Sequence, residues 1–210
     1  MPPVFDDLQL LRSEIAATAA RLIARDGASY STAKRKAARQ ILGERQANTG
    51  VLPDNAQVEH ELRIYHTLFL GATQAARLFH LRCVALEVMQ ALAEFNPYLT
   101  GAVLNGTAGA HADIHLQLFA DSVKEVEIFL LNRALGMRMS ETPHFKGPRH
   151  DPVDTVSFVW RDEAVHAELY HLDDLRGALK IKPDGKANRA DEKTLRALLA
   201  SQPLPNEAQA

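Results

Sequence analysis

A chain of 210 residues, 46% of them apolar, can bury a sizeable core as one domain or as two small ones. Its 24 basic and 26 acidic side chains nearly cancel, so no whole-chain field favours nucleic acid or a membrane, and any basic site has to be a local patch. One cysteine, Cys83, excludes an intramolecular disulfide. No run approaches the roughly 20 apolar residues that span a bilayer, and no basic region followed by an apolar run opens the chain, so the expectation is a soluble, cytoplasmic protein with no membrane partner.

Leu8, Leu11, Ile15, Ala19, Leu22 and Ile23 fall three or four apart, which predicts a helix over 8–23 capped by Asp6 or Asp7 and ended by Gly27. A second helix is expected over 32–42, with Ala33, Ala37 and Ile41 inward, Ser31 near its start and Gly43 past its end; Lys34, Arg35, Lys36 and Arg39 lie on its other faces. Residues 44–57 read as a loop. Val58, Leu62, Tyr65 and Phe69 mark a third helix. Ala75, Leu78, Phe79, Leu86, Met89 and Leu92 mark a fourth, which stops before Asn96-Pro97 because the residue before proline avoids helical angles. The pattern then changes, with two short runs, 98–104 and 112–119, separated by a glycine-rich turn and reading as paired strands. A helix returns over 121–135, and Ser122-Val123-Lys124-Glu125 fits a capping box. A polar loop over 140–152 leads to a hairpin, 155–160 and 164–172, joined by Arg161-Asp162-Glu163. Leu195, Leu198 and Leu199 indicate a last short helix. The expected class is α+β, with an N-terminal helical region over 1–73, an α/β domain over 74–200 and a disordered tail over 201–210.

Alternation along a strand places Asp113, His115 and Gln117 on one face and Ile114, Leu116 and Leu118 on the other; the same parity groups His166, Glu168 and Tyr170. If the two strands share a sheet, Asp113, His115 and Glu168, with His166 as a further member, converge as oxygen and nitrogen ligands suited to a divalent cation. A half-solvated antiparallel sheet with no ligand shows the same alternation.

Strand, Gly106-Thr107, short loop and Ala112-Asp113-Ile114-His115-Leu116 resemble the nucleotidyltransferase superfamily pattern, a Gly-Ser or Gly-Gly turn followed by acid, apolar residue, acid on the next strand. The context from Phe95 to Ala108, then Asp113-Ile114-His115 and Glu125-Val126-Glu127, is similar to a group of bacterial proteins described as nucleotidyltransferase-like, over residues 75–190. The resemblance implies a nucleotidyltransferase-like mixed sheet with flanking helices. It implies that Gly106 and Thr107 meet the phosphates of a nucleoside triphosphate, and that Asp113, His115 and Glu168 are catalytic and hold Mg or Mn for in-line transfer to an acceptor. Here Thr107 follows the glycine, the loop to Asp113 is short, and His115 stands where the family has its second acid.

An alternative from another class is a catalytically inactive member that binds RNA or a protein through the N-terminal helices and the Lys34, Arg35, Lys36 and Arg39 patch. Asp184-Gly185-Lys186 reads as an exposed turn, and Cys83 as a packed thiol. The sequence pattern displays no Ser-His-Asp arrangement, P-loop or cysteine cluster.

Overall fold

The computed structural model describes residues 4–43, 49–133, 135–179 and 188–202. The expected turn at 184–186 and most of the tail lie outside them. The class is α+β: eight α-helices and one five-stranded mixed sheet occur among the described residues, with helices alone at the N-terminal end. The chain forms two compact units, Met1–Ala75 with Gly109–Ala112, and Ala76–Ala108 with Asp113–Ala210.

In the first unit, α1 (Val4–Asp26) packs on α2 (Tyr30–Leu42) and α3 (Asn55–Phe69). Ile15, Ala16, Ala19, Ala33, Ala37, Ala38 and Val58 form its core, and the many alanines let the helix axes approach closely. Helix ends differ from the sequence reading. α1 begins at Val4, upstream of both aspartates offered as caps. Ser29, rather than Ser31, caps α2 through its hydroxyl and the Thr32 amide. α3 reaches back into the expected loop because Asp54 and Gln57 form a reciprocal capping box, each side chain accepting from the other's backbone amide. Gly27 ends α1 as expected, with φ 65° and its amide bonded to the Ile23 carbonyl.

In the second unit the sheet order is β1-β2-β5-β4-β3, built from β1 (Tyr98–Thr100), β2 (Ile114–Ala120), β3 (Met137–Thr142), β4 (Val153–Trp160) and β5 (Glu163–His171). The central pair, β2 with β5, is parallel and the other three are antiparallel. The expected hairpin is present, but its turn is two residues rather than three: Glu163 already belongs to β5 and pairs with Trp160, and Arg161 (φ 50°) and Asp162 (φ 65°) supply the two left-handed residues that such a turn needs. Three expectations fail. The run 98–104 is strand only to Thr100, after which Gly101 (φ 70°) turns the chain into α5 (Gly101–Asn105). β3 occupies the start of the expected loop at 140–152, an exposed edge strand too polar to carry an apolar period. At α6 (Val123–Asn132) the Ser122 side chain makes no cap bond.

One sheet face is apolar: Leu99, Leu116, Ala167 and Val156 form one row, Ile114, Val165 and Phe158 the next, and all seven are buried. α6 packs against β5. From α4 (Gly71–Ala91), buried Arg82 donates from Nε to the Val103 carbonyl and from Nη2 to the Leu104 carbonyl, both at 3.0 Å, closing the C-terminal end of α5. Its Nη1 donates at 3.0 Å to Oε1 of Gln202, just past α8 (Glu192–Ser201).

Candidate functional site

The opposite sheet face carries the polar side chains in three rows. Strand register sets Thr100, His115, His166, Ser157 and Arg138 in the first, and Tyr98, Gln117, Glu168, Thr155 and Ser140 in the second. The third holds Phe119 and Tyr170, stacked with ring centres 5.5 Å apart and covered by Phe145, Leu175 and Ala178, with α7 (Leu175–Ala178) supplying the last two. An aromatic lid thus closes one end of the face, while the first row stays open.

Asp113 immediately precedes β2. Its Oδ2 lies 3.2 Å from His166 Nε2, which places it on the same face as the first row. The other imidazole nitrogen, Nδ1, is 2.8 Å from Ser157 Oγ. His115 stacks on His166 with centroids 5.1 Å apart and planes 27° from parallel. His115 is exposed, but the side chains crowded around its ring partly desolvate it; this and then the neighbouring His166 charge hold its pKa below the ordinary histidine value, against opposing pulls from Glu168 and Asp113.

Glu168 sits in a separate nest. Its Oε2 accepts from Gln117 Nε2 at 2.8 Å and from the Tyr170 hydroxyl at 2.7 Å. Arg189 donates to Gln117 Oε1 and to the Ala178 carbonyl at 2.8 Å, with its guanidinium 4.5 Å from the Phe145 ring centre. Burial, followed by the bond to Glu168 and its charge, pushes the Tyr170 phenol far above its usual range, so Tyr170 stays a protonated donor.

Asp113, His115 and Glu168 therefore share a face of two adjacent parallel strands, but the two carboxylates belong to different hydrogen-bond groups. Asp113 is engaged by an imidazole and Glu168 by an amide and a phenol. Among the described residues no group of three or more His, Cys, Asp or Glu side chains is set to hold a metal ion. A magnesium ion asks for hard oxygen ligands, and the groups nearest Asp113 are two imidazoles. The donor set does not fit a resident magnesium.

The Gly106-Thr107 turn is directed inward. The amides of Gly106, Thr107 and Ala108 all donate to the Ala102 carbonyl, and the buried Thr107 hydroxyl donates to Asn105 Oδ1 at 2.6 Å. The glycine beside the open row is Gly101, exposed at the end of β1, where an added Cβ would come 3.7 Å from His115 Cβ.

Sequence reading missed Gly101 and Ser157. A two-residue turn pairs Trp160 with Glu163, and counting outward brings Ser157 opposite His166, so the signal was the hairpin itself. On α2, Lys34 donates to Asn55 Oδ1 at 2.9 Å, Lys36 lies 3.7 Å from Asp26, and Arg35 Nε donates to the Ser31 carbonyl, as on a solvated helix face. Burial and the Glu87 charge raise the Cys83 thiol pKa, away from the reactive thiolate. None of the described helices is long and apolar enough to cross a membrane. In comparisons with known proteins, no family model and no curated protein matches the chain.

Proposed function

We propose that the protein is nucleotidyltransferase-like and binds a nucleotide by its phosphates on the open row of the sheet face. The observation that carries this reading is the placement of Asp113 and His115 on one exposed face, beside a backbone glycine at the end of the neighbouring strand. Gly101 leaves room for a phosphate oxygen to approach the main chain, which a side chain would obstruct. His115 supplies a ring N–H on the open side, with the His166 ring stacked against it. Glu168, Tyr170 and Gln117 form the polar floor behind them.

Nucleoside triphosphates at about 100 times their Kd stabilise a folded binder by about 2.7 kcal/mol, which for a chain of this size raises Tm by roughly 5–10 °C. The expected result is such a rise with a triphosphate, lost in His115→Ala. A rise seen only with Mg or Mn and lost in Asp113→Ala would instead support metal-dependent binding and nucleotidyl transfer. No rise with any of the four ribonucleoside triphosphates, with or without either metal, overturns the reading.

A further inference from the structure

The hairpin and the parallel pair bring three residues, distant in sequence, into one hydrogen-bonded chain: Ser157 Oγ to His166 Nδ1 at 2.8 Å, and His166 Nε2 to Asp113 Oδ2 at 3.2 Å. A carboxylate accepts only, so the Nε2 proton points at Asp113 and the Nδ1 lone pair faces the serine hydroxyl. That tautomer makes His166 a base for the Ser157 proton, with Asp113 as its positioning residue. The relation is that of a nucleophile, a base and an orienting acid, with the two imidazole nitrogens exchanged relative to the usual order. His166 and Asp113 keep 30% and 46% of their side-chain surface, so solvent and ligand reach the chain, and Ser157 is half-buried between them and β3.

From this geometry we infer that Ser157 is an activated nucleophile whose substrate class is a phosphoric ester or anhydride. The electrophile follows from what surrounds the hydroxyl. β4 has β5 on one side and β3 on the other, so its amides are committed to the two ladders and offer no oxyanion hole to an acyl group. The flanking groups are a guanidinium cation and an imidazole. In register with Ser157 on β3 stands Arg138, exposed and without a hydrogen bond or ion pair to any described residue; on the other side His115 stacks on His166. A fork of guanidinium donors suits the equatorial oxygens of a phosphoryl centre.

In the step, Ser157 Oγ bonds to phosphorus, the P–O bond to the leaving group breaks, and the hydroxyl proton passes to His166 Nδ1, from which it is available to the departing oxygen. The product is a phosphoserine-type ester at residue 157. This activity does not depend on the nucleotide reading, because any phosphoric ester with a good leaving group satisfies it.

The test uses the full chain and a fluorophosphonate, in which fluoride is the leaving group. Peptide mapping of the wild-type protein is expected to find the label on Ser157, with bis-p-nitrophenyl phosphate giving a burst of up to one p-nitrophenol per chain. His166→Ala should slow labelling by about 100-fold or more, the range a positioned base contributes. Added imidazole should restore part of the rate, which no purely structural role of His166 would allow. Asp113→Asn should slow labelling and Asp113→Glu should recover it. Absence of label on Ser157 in the folded wild-type protein overturns the inference. So does a burst with p-nitrophenyl acetate and none with the phosphate diester. A Tm rise with nucleotides alongside an unlabelled Ser157 would sink this inference alone and leave the nucleotide reading standing.

Discussion

Replacing Arg82 by Met removes three donors from a position that is only 7% exposed, while keeping the aliphatic stem. Two of the lost bonds run to the Val103 and Leu104 carbonyls. A hydrogen bond to a charged group is worth about 1.5–3 kcal/mol, and a buried acceptor left unmade costs about 1–3 kcal/mol. Burying the guanidinium is itself unfavourable, as the lowered Arg82 pKa shows, and that cost disappears in the variant. The balance is a loss of about 2–4 kcal/mol, or roughly 5–15 °C in Tm. Urea unfolding followed by circular dichroism measures the global loss, and hydrogen exchange of the amides from Val103 to Ala108 should accelerate beyond it, since α5 loses its closure. Arg82→Lys keeps the charge but is a single compact donor, and should recover less than half. A loss below about 0.5 kcal/mol in Arg82→Met would show that water replaces the guanidinium without cost and would refute the reasoning.

Gly27→Ala should destabilise the first unit by about 2–4 kcal/mol, since an L side chain at φ 65° is strained and the new Cβ would stand 2.8 Å from His111 Cβ; a thermal melt checks it, and an unchanged Tm would rule out the close approach. Glu163 accepts from both Arg77 Nη atoms and lies 2.9 Å from His80 Nε2; the Arg77 bond is the main reason its pKa falls below the ordinary glutamate range. A carboxyl with a depressed folded pKa contributes stability above its unfolded value of about 4.3, lost as pH falls through the folded value. Glu163→Gln should therefore flatten the acid side of the stability profile, and urea midpoints measured between pH 6 and pH 3 decide it.

The α+β class, the N-terminal helices and the hairpin were legible because each carries a local signal: a 3.6 period in Leu11, Ile15 and Leu22, or an alternation bounded by a turn. Capping at Asp54 and Ser29 was present in the sequence but lay inside segments too polar to carry a period. β3 was unreadable for the same reason, because an edge strand with Arg138, Ser140 and Glu141 buries little and is defined by its pairing with β4. At the site, parity correctly grouped His115 with Asp113 and His166 with Glu168. Parity cannot give register between strands about 50 residues apart, and register decided that Asp113 meets His166 while Glu168 meets Gln117. The inward turn of Gly106-Thr107 was likewise invisible, since a glycine-threonine pair reads alike whether its amides face a ligand or close a helix.

The Arg161-Asp162 turn works as a ruler. Because the side-chain period of a strand is two, a single residue inserted there would shift β4 against β5 by one place and carry Ser157 to the apolar face while bringing Val156 or Phe158 out. Insertions of that length are tolerated in many surface turns, and here one would exchange the open polar row for an apolar one. The two-residue length of this exposed hairpin is thus fixed by what lies some three residues away along each strand, and relatives of this chain that keep the serine, histidine and aspartate should keep the turn at two.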